Sequence, residues 1–157
     1  MNSARLIEEY AAGPTQLREA VKGMNAEQLN AAPIAGTWST RQVICHIADF
    51  EPVYIDRMKR VIAQEEPSFF GGDQNLFAER LAYGSRDVEE ELALIESCRR
   101  HMTRILRTLA TDDFQRRGHH SESGPMTLEK LLSNVTKHIP HHVEFIYEKR
   151  RALGIGP

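Results

Sequence analysis

Three histidines carry the clearest chemical signal in this chain of 157 residues. His138 and His142 are four residues apart, so on a helix their imidazoles project from one face, one turn above the other. That spacing lets two imidazoles share a metal ion at about 2.0 to 2.1 Å each. A useful site needs a third ligand from another segment, and His46 is the best candidate because it lies on an apolar helical stripe. The pattern predicts one divalent metal ion bound by His46, His138 and His142, with open coordination positions.

Ordinary core packing is the competing interpretation of these histidines. A single histidine on an apolar stripe is more often a core residue than a ligand, and His141 shows that a neighbouring histidine can point to a different face. Pro140 lies between the two late histidines, cannot donate a hydrogen bond to the Thr136 carbonyl and would clash with it. It therefore predicts a kink, which would either spoil the geometry of the pair or tune it.

A centre with three neutral imidazoles has a definite chemistry. The charge of a divalent ion stays uncompensated there, so a bound water or thiol loses its proton readily. The site suits hydroxide formation for hydrolysis, or thiolate formation for attack on an electrophile. Hydrolysis usually employs a carboxylate base, and Asp49 and Glu51 are candidates by their proximity to His46. Either acid can instead orient a ligand or lie on the surface, so no catalytic residue is assigned.

Four other side chains near these segments have simpler expectations. Arg57 is a candidate for binding an anionic substrate, or for pairing with an acid. Trp38 is predicted to anchor the start of its helix in preference to stacking on a substrate. Cys45 points about 100° away from His46 along a helix and is expected in the core, and neither it nor Cys98 is a convincing nucleophile.

The elements that position these residues are helices, because apolar residues recur at helical spacing and strand-like alternation is almost absent. The periodicity predicts long helices over about 3–23, from the Ser39 cap to before Pro67, over about 88–110, and from the Thr127 cap to before Gly154. Gly13-Pro14 and Pro52 predict bends within the first two of these helices.

The arrangement of elements predicts one all-α domain over residues 1–157, a four-helix bundle with long cross-connections. The connections are 25–36, which includes a short helical turn, and 66–82, which is a loop over 66–73 followed by a short helix over 74–82. A polar loop is expected over 111–124. Ser39 with Gln42 forms a capping-box pattern.

Composition limits the partners. The net charge is −2 and the pI about 6.4, which does not favour nucleic-acid binding. The densest basic stretch, Arg99-Arg100 with Arg104 and Arg107, is predicted to be a solvated helix face because acids precede it at helical spacing. The apolar stripe of the same helix leaves open whether Cys98 or Arg99 takes an inward position. No stretch is long and apolar enough for a membrane span. Two isolated cysteines and the absence of a signal-like N-terminus predict a soluble cytoplasmic protein.

Three segments together resemble a known family. They are the stretch from Gly36-Thr-Trp-Ser39 to His46-Ile-Ala-Asp49, the segment Gly124-Pro-Met-Thr-Leu-Glu-Lys-Leu-Leu, and His138-Ile-Pro-His-His142. In this order and spacing they resemble the DinB-like superfamily of four-helix bundles, and the resemblance covers nearly the whole chain. It implies a zinc, nickel or iron ion bound by His46, His138 and His142 with waters completing the shell, and it implies a homodimer.

The resemblance also implies a class of function. Relatives in the family include thiol S-transferases that use bacillithiol or mycothiol, and a mycothiol-dependent maleylpyruvate isomerase. We therefore expect a metal-dependent enzyme, similar to a thiol transferase or a hydrolase, that acts on a small-molecule substrate, and a low-molecular-weight thiol is a candidate for that partner. The alternative is a non-catalytic dimeric metal-binding or stress-response module whose histidines are structural.

Overall fold

The structure is a computed structural model that describes residues 3–156. Helices dominate it: α1 (Ser3–Val21), α2 (Ala26–Asn30), α3 (Thr40–Ala63), α4 (Gln74–Arg80), α5 (Val88–Leu106) and α6 (Leu128–Ala152). The long helices α1 and α3 each pack against both α5 and α6. This arrangement is a four-helix bundle and confirms the predicted all-α class. The short helices α2 and α4 lie in the two predicted cross-connections.

The helix starts follow from local capping, as the sequence predicts. The Ser39 hydroxyl accepts the N–H of Gln42 at 3.2 Å, and the Ser39 N–H donates to Gln42 Oε1 at 2.9 Å. The side chains of Asp87 and Thr127 accept backbone N–H groups at the starts of α5 and α6. Because His46 is seven residues beyond the Ser39 cap, this start fixes which face of α3 the histidine occupies.

A small sheet corrects the prediction that the connections over 66–73 and 111–124 are loops. Strands β1 (Ser68–Phe69) and β2 (Arg117–His120) pair in parallel, and β3 (Gly124–Thr127) pairs antiparallel to β2. Strands of two to four residues are too short for a period of two to stand out in the sequence. The sheet ties the connection after α3 to the chain segment that leads into α6.

The end of the third long helix differs from the prediction, and the helices that contain prolines are continuous. The third long helix was expected to continue to about residue 110 but ends at Leu106, ahead of a 3-10 turn at Thr111–Gln115. Helix α6 runs without a break through Pro140, so this proline does not divide the segment that carries His138 and His142. Helices α1 and α3 likewise continue through Pro14 and Pro52. None of the helices within residues 3–156 is long and apolar enough to cross a membrane.

The apolar core forms two clusters along the bundle. One contains buried side chains from the long helices together with Phe69 and Phe114 from the sheet region (Leu6, Met58, Met102, Leu128 and Leu132 among them). The other is built from the four long helices alone (Leu17, Ile44, Ile95, Ile139 and Ile146 among them). These apolar contacts, rather than helix propensity, supply most of the stability of such helices.

A buried ion pair connects all four long helices. Arg99 of α5 is 1% exposed and donates two hydrogen bonds to Glu51 Oε1 of α3, at 2.5 and 2.9 Å. The same guanidinium donates to the carbonyls of Tyr10 in α1 and Val135 in α6, each at 2.8 Å. Arg99 was predicted on a solvated face, and that prediction is wrong. Its side chain projects from the inward stripe of α5, whereas Arg100, Arg104 and Arg107 are exposed as predicted.

Two residues of α1 make room for that guanidinium. Pro14 has no backbone N–H, so the Tyr10 carbonyl lacks its usual helical partner and accepts from Arg99 instead. A Cβ atom on Gly13 would lie 2.6 Å from Arg99 Nη1, closer than real contacts allow. The Gly13-Pro14 dipeptide, predicted to bend the helix, is therefore the position where the helix receives a tertiary hydrogen bond.

Candidate metal centre

The structure brings the three predicted histidines together. His46 projects from the second turn of α3, and His138 and His142 project from successive turns of α6, which packs against α3. The Nε2 atom of His138 lies 2.9 Å from Nε2 of His46 and 3.2 Å from Nε2 of His142. Within residues 3–156 this is the one group of three or more potential ligands that converges closely enough for a metal ion.

The spacing of the nitrogens fits a bound cation. Two nitrogens bound to one ion at 2.0 to 2.1 Å, with angles between octahedral and tetrahedral values, lie roughly 2.8 to 3.4 Å apart. The two Nε2 separations fall within that range. A neutral imidazole has one N–H and one nitrogen lone pair. With the protons on Nδ1, all three Nε2 atoms are acceptors and cannot hydrogen-bond to one another. A cation accepts all three lone pairs at once.

Burial and charge repulsion keep the three imidazole rings in their neutral form. Burial lowers the pKa of each imidazolium, to about 4 for His46, about 2 for His138 and about 3 for His142. Repulsion by the neighbouring histidines lowers the pKa of His138 and His142 further, whereas Asp49 partly opposes the effect of burial at His46. All three rings are therefore neutral at pH 7, which is the form that binds a metal.

Aromatic packing, rather than hydrogen bonding, holds the rings in place. The Nδ1 atoms of His46, His138 and His142 are buried, and none has a hydrogen-bond partner in the part of the chain that the structure describes. Metal-binding histidines usually donate this second N–H to a carboxylate or carbonyl. Here the Trp38 and Phe50 rings lie 5.3 and 4.7 Å from the His46 ring, centroid to centroid. Rigid neighbours thus set the ring orientations.

A cavity of about 630 Å³ opens onto the histidines. Its walls come from α3, α6 and the two cross-connections, and they are largely aromatic near the centre (Trp38, Phe50, Tyr54 and Phe145). Polar residues complete the lining (Thr37, Gln74, Asn75, His141, Glu148 and Lys149). The volume is that of a small-molecule site, with the three nitrogens at its wall.

The acids considered beside His46 are both paired with arginines. Glu51, a candidate base by sequence proximity, is completely buried against Arg99, so it does not contact the cavity. Asp49 forms an ion pair with Arg86 at 2.9 Å and also does not line the cavity. The structure therefore favours the structural interpretation of both acids over a role as general base.

The remaining candidates have clear positions. Among residues 3–156 Arg57 forms no ion pair with an acid, and it does not line the cavity. Its Nη2 donates to the Phe70 carbonyl at 2.5 Å and thereby fixes the connection after α3. Trp38 stands one residue before the Ser39 cap, and its ring also packs on His46 and lines the cavity. Cys45 is buried in the core as predicted, and burial raises the pKa of its thiol to about 11. Such a thiol is not a nucleophile at neutral pH.

Sequence reasoning missed Lys149 and Tyr54 in the cavity wall. Tyr54 lies on the apolar stripe of α3 two turns after His46, and its ring is 5.7 Å from that of His138. Lys149 lies in the basic last turn of α6, where cations commonly face solvent. Its position seven residues after His142, close to the same helix face, is the signal that could have placed it at the site.

Comparison with known proteins identifies the fold and its family. The sequence profile of the DinB superfamily matches residues 9–146. The chain belongs to the DinB superfamily. Two DinB-type relatives are protein OB0782 of Oceanobacillus iheyensis, 33% identical over 89% of this chain and 81% of its own, and YfiT of Bacillus subtilis, 31% identical over 90% and 80%. Both carry the name "Putative metal-dependent hydrolase".

A solved structure gives the same result for the DinB fold. The structure of Bacillus subtilis YfiT superimposes with a TM-score of 0.92 at 29% identity, over 98% of this chain and 89% of that one. It is described as a four-helix bundle of unusual topology and as a probable metal-dependent hydrolase. The predicted family and fold are therefore confirmed. Binding of a metal by His46, His138 and His142 in this chain stays a prediction.

Proposed function

We propose that this DinB protein is a metal-dependent enzyme that removes a proton from a bound thiol or water and directs the resulting nucleophile at a small electrophilic substrate. The observation that carries the proposal is the convergence of three neutral imidazole nitrogens at the wall of a small-molecule cavity. A divalent ion bound there would supply the Lewis acidity. His46, His138 and His142 would hold it, and the aromatic walls would limit access of bulk water.

The carboxylates around the site favour the thiol over water. Asp49 and Glu51 are engaged by Arg86 and Arg99, and Glu148 is the one carboxylate among the residues that line the cavity. Glu148 is exposed and lies six residues beyond His142. A thiol, with a pKa near 8.5, ionises on a metal without a positioned base, whereas hydrolysis usually employs one. A low-molecular-weight thiol is therefore the nucleophile we propose.

The test compares two histidine variants of the zinc-, nickel- or iron-loaded protein. His138→Ala removes a proposed ligand, and His101→Ala removes an exposed histidine of α5 that is remote from the cavity. Each variant is assayed for bound metal by elemental analysis, for thiol consumption with an electrophilic chloroarene, and for hydrolysis of a nitrophenyl ester without thiol. We expect metal and thiol transfer in the parent and in His101→Ala, and neither in His138→Ala.

The outcome of this experiment also separates the two reactions. Ester hydrolysis that needs the metal and exceeds thiol transfer would make the protein a hydrolase. An unchanged metal content in His138→Ala would refute the metal centre itself. We further propose a homodimer, which rests on the family resemblance alone; light scattering should then give twice the chain mass of 17.9 kDa.

A further inference from the structure

Lys149 is a buried cation in the cavity wall, and no carboxylate among residues 3–156 forms an ion pair with it. Its exposed fraction is 3%, although lysine is almost never fully buried unless it is paired. Its Nζ makes one long hydrogen bond, to the Phe145 carbonyl at 3.4 Å, and lies 5.9 Å from the centre of the Phe145 ring. Within residues 3–156 no carboxylate comes within 4.0 Å of this ammonium. The exposed Glu148, its neighbour in sequence, partly opposes the lowering of the Lys149 pKa by burial but lies outside ion-pair distance.

The position of the ammonium relates it to the metal centre. Lys149 is seven residues beyond His142, which is two helical turns and nearly the same face. Helical side chains lean toward the N-terminus, and the bond to the Phe145 carbonyl shows that this one does so. Its charge therefore lies about one turn, ~5 Å along the axis, beyond His142. The two groups influence each other, because Lys149 helps to lower the pKa of His142.

We propose that Lys149 binds a carboxylate group of the substrate or thiol whose reacting atom is at the metal. This inference rests on the proposed function, since it needs an open metal centre at the three histidines. A desolvated ammonium that lines a cavity and has no ion-pair partner within residues 3–156 is stabilised by pairing with an anion of a bound ligand. The separation of about one helical turn requires a short molecule, with a few bonds between its reacting atom and its carboxylate.

The surroundings favour a carboxylate over a phosphate. Sites for phosphate dianions usually offer several donors, commonly arginine forks or a helix N-terminus. The wall around Lys149 offers a single ammonium, and the exposed Glu148 in the same lining would repel a second negative charge. One cation beside aromatic side chains matches a singly charged group on an otherwise apolar molecule.

The experiment uses the full chain loaded with cobalt(II), whose absorption spectrum reports thiolate binding. The probes are 4-mercaptobutyrate and 4-mercaptobutanamide, which present the same thiol with and without a carboxylate. We expect the parent to bind the carboxylate probe about tenfold or more tightly than the amide, because a hydrogen bond between charged groups contributes that much. In Lys149→Met, a variant of similar length without the charge, the ratio should fall to about one. The amide affinity should be unchanged.

A second variant separates charge from packing. Lys149→Arg keeps the cation and should keep a preference for the carboxylate probe, while circular dichroism and bound cobalt confirm that each variant is folded and loaded. Equal binding of the two probes by the parent would overturn the proposal, as would a preference that survives in Lys149→Met. Failure of the amide probe to alter the cobalt spectrum would instead refute the open metal centre, and the role of Lys149 with it.

Discussion

Two polar clusters share helices α3 and α6, and they differ in what their polar atoms contact. The guanidinium of Arg99 makes four hydrogen bonds to groups of the chain itself, and its charge is matched by Glu51. The three histidines have buried Nδ1 atoms without hydrogen-bond partners in the described part of the chain, and Nε2 atoms that face one another. The charge of the first cluster is balanced within the protein by the Arg99–Glu51 pair, although Glu51 Oε2 has no hydrogen-bond partner among residues 3–156. The second cluster presents three imidazole lone pairs that a cation would accept together. This difference separates a structural polar core from a site built to bind.

Removing Arg99 should have the largest effect on stability. Arg99→Met leaves the Glu51 carboxylate buried and unpaired, so we expect the free energy of unfolding to fall by about 3 to 5 kcal/mol in urea titrations of the metal-free protein. Arg100→Ala, at the exposed neighbouring position, should change it by about 0.5 kcal/mol or less. The double variant with Glu51→Met should recover most of the loss, and a loss below 1 kcal/mol in Arg99→Met would contradict the role given to the pair.

Metal addition should stabilise the second cluster and leave the first unaffected. Zinc at about 100 times its Kd should raise the free energy of unfolding by about 2.7 kcal/mol, because the ion binds only the folded chain. His138→Ala should lose this increment. Any variant of the ion pair that still folds should retain it. Equal stabilisation of the parent and of His138→Ala in thermal melts with and without chelator would place the metal elsewhere.

The substitution Gly13→Ala tests how closely α1 approaches the Arg99–Glu51 ion pair. Alanine normally stabilises a helix interior relative to glycine by about 0.5 to 1 kcal/mol. Here the added methyl would meet Arg99 Nη1 at 2.6 Å and Ile139 Cδ1 at 3.2 Å, so we expect Gly13→Ala to destabilise the protein by about 1 to 2 kcal/mol. In Gly84→Ala the methyl meets nothing within 4 Å and serves as the control. A more stable Gly13→Ala protein would show that the guanidinium moves away at little cost.

The pH dependence of the free energy of unfolding should reflect the lowered pKa values of the three histidines. Their pKa values in the folded protein lie below the unfolded value of about 6.5, so below that pH the unfolded chain binds protons that the folded chain does not. Metal-free stability should therefore fall as the pH decreases from about 6.5 toward 4. His138→Ala should have a shallower slope, by about 1 kcal/mol per pH unit. Identical slopes, measured in urea at a series of pH values, would show that His138 is not held neutral by burial.

The sequence was sufficient for the four long helices and for the set of three histidines. Both depend on periodicity, and four-residue spacing on one helix places two imidazoles together whatever the surroundings are. The Arg99–Glu51 pair joins positions 48 residues apart, and no local rule connects them. The sequence did contain a signal for this pair, because Arg99 and Glu51 each fall on the inward side of their helices and carry opposite charges. The sheet strands are too short for their pattern to be read.

The cavity wall shows the same limit of prediction from sequence. His46, His138 and His142 could be grouped from spacing and family resemblance, but the contribution of Lys149 depends on how its long side chain folds back along α6. Side chains of lysine adopt many rotamers of similar energy, so only the packed structure decides whether the ammonium reaches solvent or the cavity. The identity of the aromatic neighbours likewise depends on how the cross-connections close over the site.

Pro14 shows how misleading local optimisation of this protein would be. Judged by helix propensity alone, Pro14→Ala would be an obvious improvement of α1. Yet alanine would supply an N–H that competes with Arg99 for the Tyr10 carbonyl. The helical hydrogen bond gained within α1 would then weaken the bond that attaches α1 to Arg99 and, through it, to the other three long helices. Optimising each helix separately would thus weaken the contact at which the four helices meet.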